Sequence, residues 1–284
     1  MRRIVHISDV HFGPHHLPQV AAGVLALIRD ERPDLVALSG DLTQRAKPHQ
    51  FRAARGFAES IPAPVVVVPG NHDVPLYRFW ERVFSPFGAY RKHFSHQLEP
   101  FFHDDEMLVM GVNTAFNWTL TDGRITRRQQ RLLTELCARM PRHLARIVVL
   151  HHPLIKLPTK HKVIAGARPA LELFGRLGVE LVLAGHVHQT HLSFARPAVT
   201  EATTPIAIAH AGTATSDRGR GSEHKHNTLN VITLNQRAIT IAQFGWDAAA
   251  GRFTERSLRE LPRRAPEVEP SRSVGQALSE DQIS

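Results

Sequence analysis

PVVVVPGNHDVP, residues 64–75, runs four consecutive valines directly into Gly70, Asn71, His72 and Asp73. β-Branched residues bounded by Pro and Gly read as a strand buried on both faces, of the kind found in the middle of an α/β sheet. No apolar core would hold the polar cluster that follows, so it belongs at the carboxyl end of the strand. The loops of an open α/β sheet form a ligand crevice at that end. Whether the cluster is a lone turn or one part of a site depends on what the rest of the chain delivers to the same edge.

Comparable apolar runs occur at 4–8 (IVHIS), 35–39 (LVALS), 107–112 (MLVMGV), 146–150 (RIVVL) and 180–184 (ELVLA). Between several of them lie helical patterns, LPQVAAGVLALIRDE, KPHQFRAARGFAES and TRRQQRLLTELCARM, so the first two thirds of the chain alternate β and α. After residue 190 the pattern changes. THLSFA, PIAIAHA, NTLNVITL, AITIAQF and GRFTERSL are successive strands separated by turns, which predicts an antiparallel sheet added to the parallel one. Residues 262–284 carry no apolar period and read as a flexible tail.

With 284 residues and 42% apolar composition, the chain can bury a large core. Its lone cysteine, Cys137, excludes an intramolecular disulfide and suits a reducing compartment. Charged and polar residues interrupt the start, MRRIVHISDVHF, where a secretory leader needs an unbroken apolar run. No stretch approaches the roughly 20 apolar residues of a membrane helix, so the expected location is cytoplasmic. The formal charge of +9 raises nucleic acid as a partner, but the basic residues are scattered. A positive field that draws a small anionic substrate is the favoured account.

Residues 77–102 stand apart, with nine of the chain's 19 aromatics. They read as a short helical insertion packed on the domain, with a lid over the site as the alternative. Because the segment leaves directly after His72 and Asp73, it starts beside the polar cluster.

Five short blocks fall at strand ends: SDVHF (Asp9, His11), GDLTQR (Asp41), GNHD (Asn71, His72), HHP (His151, His152) and GHVH (His186, His188). Each alone is compatible with a turn. Together, each following an apolar strand, they describe one constellation. Imidazole and carboxylate suit Zn, Mn or Fe, and residues two apart on an extended segment can turn to one side to clasp an ion. The glycines of GD, GN and GH let the backbone turn sharply and come close to the ions. One carboxylate can bridge two cations, as a two-metal site requires.

The five blocks, in this order, resemble the calcineurin-like metallophosphoesterases over roughly residues 1–245. GDLT, GNHD and GHVH are most similar to the bacterial phosphodiesterase branch, which includes cyclic-nucleotide phosphodiesterases. The resemblance implies a four-layer αββα sandwich of two mixed sheets flanked by helices, occupying residues 1–261. It implies two divalent metal ions, Mn, Fe or Zn. One would take Asp9, His11, Asp41 and His188, and the other Asp41, Asn71, His151 and His186, with Asp41 shared. Two such ions bring four positive charges and Asp9 and Asp41 cancel two, so the site stays cationic and can hold a phosphate. A shared hydroxide would attack in line, and His72, beside the metals but not a ligand, would protonate the leaving alkoxide.

The chain departs from the phosphoprotein phosphatases at one position. Their block reads Gly-Asp-x-x-Asp-Arg, and the second Asp pairs with the catalytic His. Gln44 stands there in this chain, leaving Asp73 or another group to support His72. Arg45 could grip a phosphate oxygen with its planar fork. Arg218 and Arg220, in the Gly-rich basic stretch 211–227, and Asn113, at another strand end, are further candidate substrate contacts. His152 could orient a ligand. The expected activity is hydrolysis of a phosphodiester, first a cyclic nucleotide or other small diester. A lipid-linked phosphodiester or pyrophosphate comes next, then a nuclease substrate, with a non-catalytic metal-binding scaffold as the remote alternative.

Overall fold

Alternate residues of the predicted strands face two different apolar layers. In β1 (Arg2–Ile7), Ile4 lies in one layer while Val5 and Ile7 lie in another, and β2 (Leu35–Leu38) divides Leu35 and Ala37 from Val36 and Leu38 in the same way. Strands buried on both faces need cover on both sides, and this requirement builds the architecture. The computed structural model of the protein describes residues 1–196 and 205–263. Within them, two six-stranded mixed sheets pack face to face and carry helices on their outer faces, an αββα sandwich of four layers.

The first sheet has the order β12-β11-β10-β1-β2-β3, where β3 is Val65–Val67, β10 Thr228–Leu234, β11 Ala238–Asp247 and β12 Arg252–Pro262. β1, β2 and β3 are parallel, and β10 to β12 join them antiparallel. The second sheet runs β4-β5-β6-β7-β9-β8, with β4 Phe101–His103, β5 Met107–Gly111, β6 Ala145–Val149, β7 Val179–Ala184, β8 His191–Ala195 and β9 Ile206–His210. Its four central strands are parallel and its two edge strands antiparallel.

Two expectations need correction here. The valine strand is at a sheet edge, not in the middle. It is nevertheless covered on both sides, since Val66 and Val68 enter the layer between the sheets and Val67 packs under the helices. The late strands do not form a separate antiparallel sheet. β8 and β9 extend the second sheet, β9 parallel to β7, and β10 to β12 extend the first.

The helices present apolar faces at helical spacing. α1 (Pro18–Glu31) starts with Pro at its first position and buries Val20, Val24, Leu27 and Ile28. It and α2 (Pro48–Glu59) cover the first sheet together with the six-residue α4 (Gly88–His93), whereas the six-residue α3 (Phe79–Phe84), also in the aromatic segment, buries only Arg82. α5 (Arg127–Arg139) begins at a capping box, in which Gln129 donates its N–H to Thr126 Oγ1 and accepts the Thr126 N–H at 2.8 Å. α5 and α6 (Ala167–Arg176) cover the second sheet with Leu133, Cys137, Ala170 and Phe174.

The aromatics of 77–102 divide. Phe87 and Tyr90 are buried against α2 and the first sheet, whereas Tyr77, Phe79, Trp80 and Phe84 are exposed and Trp80 stacks on Phe84. Phe101 and Phe102 already belong to β4. At the other end, Arg263 pairs with Glu180 at 2.9 Å, and residues 264–284 of the segment read as a tail lie outside the described residues. No helix among the described residues is long and apolar enough to cross a membrane.

Candidate metal centre

Parallel strands point their carboxyl ends the same way, so β1, β2 and β3 deliver Asp9, Asp41 and Asn71 to one edge, and β6 and β7 deliver His151 and His186 to the adjoining edge of the second sheet. Backbone hydrogen bonds then zip the first two loops together: Asp9 N–H to Gly40 O (3.1 Å), His11 N–H to Asp41 O (3.0 Å) and Gln44 N–H to Phe12 O (3.0 Å). Asp73 fastens the third. Its buried carboxylate accepts from the Leu42, Thr43 and Gly70 N–H groups at 2.9–3.1 Å and from Thr43 Oγ1 at 2.9 Å. Burial and the neighbouring Asp41 charge push its carboxyl up to about 7, against the pull of those donors.

Two groups of ligand atoms result. Asp9, His11, Asp41 and His188 form one, all buried. His188 Nε2 stands 3.1 Å from Asp9 Oδ1 and from His11 Nε2, and His11 Nε2 stands 3.7 Å from Asp41 Oδ2. In the other, His151 Nε2 lies 3.4 Å from Asp41 Oδ1 and 3.3 Å from His186 Nδ1, which is 3.0 Å from Asn71 Oδ1. Donors held about 2.0–2.2 Å from a cation stand about 3–3.6 Å from one another, so these separations suit an ion in each group. Asp41 presents one oxygen to each.

The chemistry of the donors fits cations as well as the spacing does. Asp9 Oδ2 is held by Ser8 Oγ (2.6 Å) and the His186 N–H (3.0 Å), but among the described residues Oδ1 is buried with no hydrogen-bond partner. An orphaned carboxylate oxygen in a closed interior is strongly unfavourable unless a cation meets it. The histidines agree. His151 Nδ1–H donates to Ser39 O (2.7 Å) and His188 Nδ1–H to Arg218 O (2.8 Å), which turns each Nε2 toward a carboxylate. Burial opposes ionisation of both acids, yet His188 and His11 hold Asp9, and His151 and His72 hold Asp41, well below the usual carboxylate range. Against the effect of its own burial, Asp41 draws His151 up to about 9, so positive charge is favoured between these two groups.

Strain concentrates at the same residues. Among the described residues, Asp9, His11, Asp41, His186 and His188 all have positive φ, between 46° and 73°. Left-handed backbone at non-glycine residues persists only where the surroundings impose it, and such residues cluster at functional sites. The glycines serve close approach: a Cβ on Gly70 would lie 2.1 Å from Asp41 Oδ1, and one on Gly185 would lie 1.8 Å from Ser8 Oγ.

His72 borders the metal centre, its Nε2 4.0 Å from Asp41 Oδ2. Its partner is not Asp73, which is consumed by the loop clasp. Nδ1–H donates instead to the backbone carbonyl of Gln44 at 2.9 Å, a contact that no side-chain pattern discloses. Burial, with Arg218 and Arg45, shifts the imidazole toward neutrality, and Asp41 and the Gln44 carbonyl oppose the shift. Arg218 donates to Gln44 Oε1 at 3.0 Å and stands 3.3 Å from His72 Nε2, so the Gln that replaces the expected Asp orients an arginine beside the imidazole.

Arg218 and Arg220 line a cleft of about 320 Å³ with Asp41, Asn71, His72, His186 and His188. Arg45 is not in that lining. It donates to Gln44 O at 3.0 Å and lies over the Tyr77 ring. Asn113 is not in it either, because its Oδ1 accepts the Ala115 N–H (2.9 Å) and closes its own turn. His152 is buried with Nδ1 against Thr114 Oγ1 (2.8 Å), and it joins His151 and His186 in the set of groups able to hold an ion. Sequence reasoning missed Lys160, His161 and Lys162, which also line the cleft, with the His161 ring 4.7 Å from that of His186. Their only signal was a basic triplet that starts seven residues beyond HHP.

Comparison with known proteins bears on the family and the fold. The calcineurin-like phosphoesterase family model matches residues 2–190. A probable cyclic nucleotide phosphodiesterase of Synechococcus sp. is 27% identical over 179 residues, 61% of this chain and 64% of that protein. The glycerophosphodiester phosphodiesterase GpdQ of Enterobacter lignolyticus is 32% identical over 80 residues, 25% of this chain and 29% of its own length. The matches thus span less than two thirds of either relative. In fold, the chain is similar to the purple acid phosphatase PPD1 from yellow lupin seeds, with TM-score 0.66, 12% identity, and coverage of 92% of this chain and 54% of that one.

Proposed function

The chain belongs to the calcineurin-like phosphoesterase family, and we propose that it is a two-metal phosphodiesterase acting on a small anionic diester, with a cyclic nucleotide as the first candidate. One observation carries the reading: the two oxygens of Asp41 face two separate groups of ligand atoms, and His72 Nε2 stands beside one of them. Asp9, His11, Asp41 and His188 would hold one divalent cation, and Asp41, Asn71, His151 and His186 the other. Bound there, Mn, Fe or Zn would supply Lewis-acid stabilisation of phosphoryl oxygens and a water acidic enough to attack near neutral pH.

The remaining steps fall to the chain's own groups. Arg218, fixed by Gln44 Oε1, would hold a non-bridging phosphoryl oxygen in the cleft. With Nδ1–H committed to the Gln44 carbonyl, the imidazole of His72 can turn only Nε2 toward substrate. A proton carried there would pass to the leaving oxygen as its bond to phosphorus breaks. The relatives named as phosphodiesterases support a diester over a monoester.

The test is hydrolysis of bis(p-nitrophenyl) phosphate after loading with Mn, Zn or Fe, alongside elemental analysis. We expect turnover with near two ions per chain, and Asp41→Asn to lower both, turnover by at least about 10²-fold. Absence of turnover with all three metals, or full activity in Asp41→Asn, would overturn the reading.

A further inference from the structure

The cleft is far more basic than one phosphodiester requires. Lys160, Lys162, Arg218 and Arg220 line it, against Asp41 and Asp122. Arg218 is already engaged by Gln44 beside His72. The other three are exposed, and among the described residues none of them forms an ion pair. Lys160 and Lys162 flank His161, whose ring meets His186, so the lysines are anchored next to the second group of ligand atoms. A diester carries a single negative charge and would be held by the cations of the metal centre and Arg218. It leaves the lysines and Arg220 facing unmatched charge.

A second cavity shares two of these lining residues. Asp122 and Lys162 also line this cavity of about 660 Å³, bounded by Phe116, Arg124, Arg127 and Pro169, with the Arg124 guanidinium over the Phe116 ring. Beyond Lys162, that cavity offers an aromatic ring and the cationic side chains of Arg124 and Arg127. Charge of one sign lining a low-dielectric cleft concentrates ligands of the opposite sign and discriminates by their number of charges.

We propose that Lys160, Lys162 and Arg220 form a second anion subsite, so that the substrate class is a phosphodiester bearing an additional anionic group, such as a nucleotide diester with a terminal phosphate. This rests on the phosphodiesterase reading above for the position of the scissile group. It does not follow from that reading, which needs only one anion.

The test compares thymidine 5′-(p-nitrophenyl phosphate) with thymidine 3′-phosphate 5′-(p-nitrophenyl phosphate). The two share a leaving group and differ by one phosphate. The Mn-loaded protein should favour the second by at least about tenfold in kcat/KM, and calorimetry should find thymidine 3′,5′-bisphosphate bound at least about tenfold more tightly than thymidine 5′-monophosphate. In Lys160→Ala/Lys162→Ala both ratios should fall to about threefold or less. Ratios near one in the unaltered protein, or ratios that survive the double substitution, overturn the subsite. If neither diester turns over but the binding ratio holds and collapses in the variant, the phosphodiesterase reading fails and the subsite stands. Equal turnover of both diesters with equal binding has the opposite meaning.

Discussion

A histidine that hands a proton to a leaving group must present one nitrogen and have the other tied down. In the mechanism proposed above, the backbone carbonyl of Gln44 does this for His72 at 2.9 Å, where the Gly-Asp-x-x-Asp-Arg pattern would supply a carboxylate. A carbonyl orients the ring as an Asp would but brings no full negative charge, and burial with Arg218 and Arg45 already disfavours the imidazolium. The acid should therefore matter most where the leaving group is poor. We expect His72→Ala to slow hydrolysis of an alkyl diester such as glycerophosphoethanolamine by about 10²–10⁴-fold. With bis(p-nitrophenyl) phosphate, whose leaving group needs little protonation, the loss should be under about tenfold. Equal losses on the two substrates would show that His72 does not act as the acid.

The elements explain which parts of the fold were legible. Every parallel strand was readable because it is buried on both faces and ends in a turn of Gly, Asp, Asn or His. LVALS and ELVLA carry both signals within a few residues. The partner of each late strand was not readable, since β9 and β10 are equally apolar and only the tertiary packing sends one to β7 and the other to β1. The site was legible for the same reason as the strands: all its proposed ligands lie within four residues of a strand end. Asp73 was not, because GNHD does not reveal that its last residue turns back to clasp GDLT. Its carboxylate accepts four hydrogen bonds across two loops. Asp73→Ala strands three buried N–H groups, which at about 1–3 kcal/mol each predicts destabilisation of about 3 kcal/mol or more. Urea denaturation at neutral pH should read this as a lower midpoint. A change below about 1 kcal/mol would mean the clasp contributes little.

At the scale of the whole molecule, the layer between the sheets is the one feature that apolar patterning described incompletely. It is mostly aliphatic, but His6 is fully buried beside Ile4 in it, and His210, at the end of β9, is buried opposite Ala184 on the other face of the second sheet. His6 bridges Ser39 Oγ (2.9 Å) and the Asn230 amide (3.3 Å), whereas among the described residues both ring nitrogens of His210 lack a partner. Burial pushes each imidazole down to about 3, with the other histidines nearby adding to the effect. In the unfolded chain the same groups take a proton near 6.5. Between about pH 6.5 and 3 the unfolded state thus binds protons that the folded state refuses. Stability is full above that window and declines as pH falls through it, by about 1.4 kcal/mol per pH unit for each such histidine. Replacing His210 by an apolar residue of similar size removes one of these protons and no satisfied hydrogen bond. We expect His210→Leu to match or exceed the unaltered protein at pH 7 and to lose stability less steeply below pH 6. The difference in slope should be close to one proton, or about 1.4 kcal/mol per pH unit, in urea denaturation curves taken at pH 7, 6 and 5. Parallel pH dependences for the two proteins would show that His210 takes its proton in the folded state, and the end of β9 would have to be open to water there.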